Sequence, residues 1–112
     1  MSEWIGVDFD GTLAEYHGPG NAFIARPVTP MVERVKKWLE EGKEIRIITA
    51  RVSSKVEPYA RNIALLFIGA FCKKYIGRML EVTAEKDYEM LELWDDRAVS
   101  VETNTGRIRS EQ

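Results

Sequence analysis

Two pairs of aspartates dominate the chemistry this sequence offers. Asp8 and Asp10 follow the apolar run Trp4-Ile5-Gly6-Val7 and flank Phe9, and Asp95-Asp96 follow Met90-Leu91-Glu92-Leu93-Trp94. Four carboxylates brought to one place raise one another's pKa values unless a cation sits among them. Oxygen-only donors favour a hard cation, and Mg²⁺ is the natural one beside phosphate. Zinc is not indicated, because the chain has one cysteine, Cys72, and one histidine, His17, far apart in sequence. With Mg²⁺ present, one carboxylate can attack phosphorus and form an acyl phosphate. A second, two residues along, can protonate the leaving oxygen and then deprotonate the attacking water. Gly11 lets the backbone bend sharply beside a phosphate. Backbone N–H groups near Gly11 and Thr12, the Thr49 hydroxyl and the Lys86 ammonium can hold the equatorial oxygens. Arg51 and Arg97 stand next to these residues, and their planar donors suit phosphate, although surface ion pairs would use them equally well.

The elements that must position these residues alternate between strand and helix. Trp4–Phe9 reads as a buried N-terminal strand ending in turn chemistry at Asp10-Gly11-Thr12. Residues 13–28 lack periodicity and hold Gly18-Pro19-Gly20 and Pro27, which predicts a flap. Thr29-Pro30 opens a helix with Thr29 as N-cap, Val32, Val35 and Leu39 form its inner face, and Gly42 stops it. Glu44–Thr49 is the second strand, and about Glu57–Tyr75 a second helix with Ile63, Leu66, Phe67, Ala70 and Phe71 as its apolar face. Met79–Val82 reads as a weak third strand, Met90–Trp94 as a fourth, Ala98–Val101 as an edge strand, and residues 105–112 as a tail. The connection from Thr83 to Met90 is short for a parallel crossover, so either one helical turn suffices there or the third strand lies elsewhere. The pattern predicts an α/β fold with a parallel, Rossmann-like sheet covered on both faces, in one domain spanning 1–112. Ligands bind beyond the C-terminal ends of such strands. Asp8, Asp10, Thr49, Asp95 and Asp96 all fall at those ends, and Lys86 precedes the last strand.

The constellation resembles the haloacid dehalogenase (HAD) superfamily of phosphatases. The matching residues are Asp8-Phe9-Asp10-Gly11-Thr12, Thr49 after an apolar strand, Lys86, and Asp95-Asp96 after Leu93-Trp94, in the superfamily's motif order. The resemblance implies a three-layer HAD-like sandwich with Asp8 as nucleophile and Asp10 as general acid/base. It also implies Mg²⁺ held by the Asp8 carboxylate, the Asp10 carbonyl and one of Asp95 and Asp96, with Asp95 favoured. Neither gap holds a cap domain: residues 13–28 are only a flap, and residues 52–85 are filled by one helix and a strand, so the chain resembles a capless member. Thr49-Ala50-Arg51 and Trp94–Val99 are similar to small members encoded by phages and prophages.

Composition narrows the partners. A net charge of -2 without a dense basic run gives no footprint for general nucleic-acid binding. No stretch approaches the roughly 20 apolar residues of a membrane span. The lone cysteine and the absence of a basic-then-apolar start suit a reducing, cytoplasmic setting. The expected substrate is a phosphorylated small molecule, a nucleotide among them, or the phosphorylated end of a nucleic acid. Two other classes compete: a non-enzymatic phosphoacceptor or Mg²⁺-binding regulatory module, and an interaction protein on a retired hydrolase scaffold. Asp10 speaks against the first, since a receiver-type phosphoacceptor has no acid two residues beyond its aspartate.

Overall fold

The computed structural model describes residues 3–109. Four strands, β1 (Trp4–Asp8), β2 (Glu44–Ile48), β3 (Glu81–Thr83) and β4 (Met90–Trp94), form one parallel sheet in the order β3-β2-β1-β4. Two helices, α1 (Thr29–Glu40) and α2 (Pro58–Tyr75), connect β1 to β2 and β2 to β3. The protein is therefore α/β with an all-parallel sheet.

Side-chain alternation divides β1 into two faces. Ile5, Val7 and Phe9 point one way and join Ile45 and Ile47 of β2, Met31, Val32 and Val35 of α1, and Ile68, Phe71 and Cys72 of α2 in a single core. Phe9 takes the edges of Phe67 and Phe71 at 6.2 and 5.1 Å, and Trp38 of α1 meets Trp94 of β4 at 5.1 Å. Both helices thus lie on the same face. The cause is handedness: β1→β2 and β2→β3 step in the same direction across the sheet, and right-handed crossovers put both helices on one side. Cys72 is buried in this core, and burial pushes its thiol up to about 11.

The opposite face, carrying Trp4, Gly6 and Asp8, has no helix among the described residues. This departs from the expected second helical layer. The link of residues 84–89 crosses here instead. It must span three inter-strand gaps while returning four residues' length along the strands, a distance of roughly 20 Å. The seven steps from Thr83 to Met90 reach about 25 Å at most. The link is therefore close to taut and has room for only one tight turn, closed by the Met90 backbone N–H donating to the Asp87 carbonyl at 3.1 Å. Asp87, midway along it, accepts a 2.8 Å hydrogen bond from the indole N–H of the buried Trp4, which holds its carboxyl below the usual range. The Arg46 guanidinium lies 4.5 Å over the Trp4 ring and pairs with Glu44, Glu81 and Asp87.

Three local boundaries differ from expectation. The third strand is Glu81–Thr83, not Met79–Val82. Val28, not Thr29, is the N-cap of α1, and no side chain caps that helix. Ala98–Val101 forms no sheet strand; Val101 makes an isolated bridge to Ile108. The expected tail is described only to residue 109, and residues 110–112 lie outside the described chain. Among the described residues no helix is long and apolar enough to cross a membrane.

Candidate active site

Parallel strands bring their C-terminal ends to one edge, and β1 and β4 are neighbours there. Asp8 is the last residue of β1, while Asp95 and Asp96 follow directly on β4. Their carboxylate oxygens can all lie within 4.8 Å of one another. Turns on both sides hold them. The Thr12 hydroxyl donates to Asp96 Oδ1 at 2.9 Å and accepts from the Asp96 backbone N–H at 2.9 Å, with Asp8 Oδ2 at 3.4 Å. Asp95 Oδ1 accepts from the Arg97 backbone N–H at 2.8 Å. Gly11 has φ +88°, and a Cβ there would meet Asp96 Oδ2 at 2.5 Å. Only glycine satisfies both the backbone conformation and this close approach.

The cluster is electrostatically strained as it stands. Half-burial is the main cause that pushes the Asp8 carboxyl up to about 7, and the charge of Asp95 adds to it. The hydrogen bond to Asp96 and the charges of Asp96 and Asp10 contribute in the same direction. A group balanced between proton and charge among like charges is a place where a cation relieves repulsion. The donor set of Asp8, Asp95 and Asp96 is entirely oxygen, which fits a hard divalent ion rather than a soft one.

A cavity of about 450 Å³ opens over this cluster, lined by Asp8, Asp10, Thr49, Arg51, Asp95 and Arg97. Ile48, Ala84 and Leu93 supply apolar wall, and Tyr16 reaches it from the flap. Thr49 is buried, and its hydroxyl accepts from the Arg51 backbone N–H at 3.2 Å across the turn Ala50–Val52.

Asp10 and Arg51 form the tightest contact of the site. Arg51 Nε and Nη2 donate to the two Asp10 oxygens at 2.8 and 2.7 Å. Nη2 also donates to the Ala22 carbonyl at 2.6 Å, and the guanidinium lies 5.5–5.7 Å from the rings of Phe9, Phe23 and Phe67. Arg51 is thus engaged by Asp10 and by the flap, rather than standing free toward the cavity. The flap itself is pinned at its base by backbone bonds from Glu15 to Arg26 and from Val28 to Leu13. Phe23, exposed on its outer side, packs edge-on against Phe67 at 5.1 Å. His17 pairs with Glu15 on the surface of the flap.

Lys86 is exposed on the link of residues 84–89 and is not among the residues lining the cavity, although Ala84, two residues earlier, is. The bridging of the two acidic turns by Thr12 had no signal in sequence spacing, because residues 12 and 96 meet only through the β1–β4 pairing. Ala84 and Leu93 carry no chemical signal at all; only the sheet order could identify them as cavity wall. Comparison with protein-family models, with curated proteins and with solved structures finds no match, so the chemistry of the site rests on its own geometry.

Proposed function

We propose that the protein is a Mg²⁺-dependent phosphomonoester hydrolase in which Asp8 is the nucleophile. The observation that carries this reading is the convergence of Asp8, Asp95 and Asp96 at the C-terminal edge of a parallel sheet, beside a cavity that also takes Asp10. The motif order supports a reduced relative of the HAD fold, with a taut link in place of the second helical layer and a short flap in place of a cap.

Asp8, Asp95 and Asp96 are the residues that would hold Mg²⁺, with the Asp10 carbonyl as a further donor. When bound, the ion would neutralise the acidic cluster and balance charge on the transferring phosphoryl group. The Asp8 carboxylate attacks phosphorus and the ester oxygen leaves, giving an aspartyl phosphate that water then cleaves. The Thr49 hydroxyl and the backbone N–H groups of the turn after Asp8 orient phosphoryl oxygens. Asp10 supplies a proton to the leaving oxygen and later takes one from water. For this, at least one of its two hydrogen bonds to Arg51 must give way during the cycle. The cavity is open and without a cap, which suits phosphorylated small molecules, nucleotides among them, and a phosphorylated nucleic-acid end.

The test is release of inorganic phosphate from an aryl phosphate with Mg²⁺ and with chelator. The expected result is turnover only with Mg²⁺, lost by at least about a thousandfold in Asp8→Asn, on the scale of removing one essential catalytic group. Equal activity in that variant contradicts the assignment. The Asp10–Arg51 pair also favours a second reading. If the pair held throughout, Asp8 would accept a phosphoryl group without releasing it, as a regulatory phosphoacceptor does. One phosphate incorporated per chain from a small phosphodonor, with no turnover, would distinguish that case.

A further inference from the structure

We propose that a cleft beneath the flap binds an aromatic ring carried by the leaving group of the substrate; this rests on the phosphomonoesterase reading and narrows it. A second cavity, of about 340 Å³, adjoins the one above the acidic cluster. The two share Asp10, Tyr16 and Arg51 as lining. Asp10 gives its proton to the departing ester oxygen, so that oxygen lies against a residue at the boundary of both cavities. The first cavity takes the phosphoryl group beside Asp8. The second is open to whatever the ester oxygen carries. A further cavity beyond Ala84, bordered by Ser53, Arg61 and Thr83, touches no residue of the catalytic set.

The lining identifies the occupant. Beyond the three shared residues the cleft is walled only by Pro19, Ala22 and Phe23 of the flap and by Val56, Ala60 and Ala64 at the start of α2. All six are apolar, and the Asp10–Arg51 pair is the one charged feature. The hydroxyls of a bare sugar would lose water here without gaining partners, which costs free energy. A flat ring loses nothing of the kind. Ala60 and Ala64, one helical turn apart, offer only methyl groups, so the helix side of the cleft has room for such a ring. On the flap side Tyr16 and Phe23 remain 47% and 56% exposed, although each borders the cavity. Their rings are therefore available for stacking. The Arg51 guanidinium, 5.6 Å from the centre of the Phe23 ring, completes the wall. A planar guanidinium stacks on aromatic faces as well as pairing with carboxylates. A ring in the cleft thus offsets the loosening of the Asp10–Arg51 hydrogen bonds that proton transfer from Asp10 requires. The ring reaches the cleft either directly from the ester oxygen, as in an aryl phosphate, or through a ribose, as in a nucleotide.

The test compares kcat/KM with Mg²⁺ for three esters: adenosine monophosphate, naphthyl phosphate, and a ribose phosphate esterified at the same carbon as the nucleotide but lacking the base. The ribose ester is the reference, because it presents the same leaving oxygen without a ring. In Phe23→Ala the ratio of at least one ring-bearing ester to the reference should fall about tenfold or more, the scale of losing one base–aromatic stack. Ala60→Leu, at an exposed position, fills the cleft from the helix side and should lower the same ratio. It decides the matter even if Phe23→Ala loosens the flap. Ile24→Ala is the control, since Ile24 neighbours Phe23 but does not line the cleft, and the ratio should stay as in wild type. Which ester responds tells an aryl leaving group from a nucleoside. Phosphate release with both ratios unchanged in Ala60→Leu overturns the proposal and leaves the phosphatase reading standing. A readout without catalysis separates the two failures: amide spectra of the wild-type chain titrated with adenosine and with naphthol should shift at Tyr16, Phe23, Ala60 and Ala64. No shift there with either compound overturns the proposal whether or not any ester is hydrolysed.

Discussion

Replacing Asp8 with asparagine should stabilise the metal-free protein at pH 8 and leave its stability nearly unchanged at pH 4. Asp8 is held at about 7 in the folded chain against 3.8 unfolded. A carboxyl raised in this way contributes stability that is fully present below pH 3.8 and is lost as pH rises through 7. The shift of about three units corresponds to at most about 4 kcal/mol at 1.36 kcal/mol per unit. Asp8 is only half-buried, so solvent screening reduces this to about 1–2 kcal/mol. Asparagine has the same shape and no charge, so it escapes the penalty. At about 4–8 °C per kcal/mol, Asp8→Asn should melt roughly 5–15 °C above wild type at pH 8 in chelator. Mg²⁺ should close the gap from the other side: at 100 times its Kd it stabilises wild type by about 2.7 kcal/mol, and it should leave Asp8→Asn almost unmoved. Calorimetric melts of both proteins at pH 4, 6 and 8, with chelator and with Mg²⁺, measure each quantity. Taking the variant as reference removes the pH dependence of groups that do not interact with Asp8. A wild type as stable as Asp8→Asn at pH 8 without metal would refute the claim that like charge and burial strain this cluster.

Two further substitutions separate the parts of the site. Arg51→Ala removes the hydrogen bonds to Asp10 and Ala22 and should cost about 1.5–3 kcal/mol, the range for bonds to a charged partner. Amide exchange at Glu15 and Val28, whose N–H groups close the base of the flap, should accelerate in this variant more than exchange at Ile47 in the sheet. Gly11→Ala forces a left-handed backbone conformation and a Cβ into the Asp96 carboxylate, so it should lower both stability, by about 1 kcal/mol or more, and divalent-ion affinity. Gly106→Ala is its control: φ there is +77° with open space around the Cβ position, so a calorimetric titration should show stability reduced and ion affinity unchanged.

The sequence displayed the acidic cluster because of what a parallel sheet does. Asp8 and Asp95-Asp96 each follow an apolar strand, and parallel strands share one C-terminal edge. Their meeting therefore needs only that β1 and β4 be neighbours. β1, β2, α1 and β4 were legible for a similar reason, since each shows a period or is bounded by proline, glycine or charge; α2 was legible in extent but not in its inward face, because its apolar run continues round the helix, and Leu66 and Ala70, read as facing inward, are exposed while Ala64, Ile68 and Cys72 are buried. β3 has three residues, too few for any period, and its position was read two residues early. The route of the link from Thr83 to Met90 depends on strand order, which periodicity does not encode. With β3 and β4 at opposite edges, the link must run almost taut across the open face, and this single fact removes the second helical layer. The pairing of Asp10 with Arg51, 41 residues apart, was equally invisible: spacing placed both near the cavity but not against each other.

Paramagnetic broadening by substoichiometric Mn²⁺, read residue by residue in an amide correlation spectrum, tests the central claim most directly. The account predicts that the amides of residues 8–12 and 95–97 vanish first, that saturation comes at one ion per chain, and that excess Mg²⁺ restores them. Broadening centred instead on the acidic residues around Arg46, or spread evenly over the surface carboxylates, would contradict it.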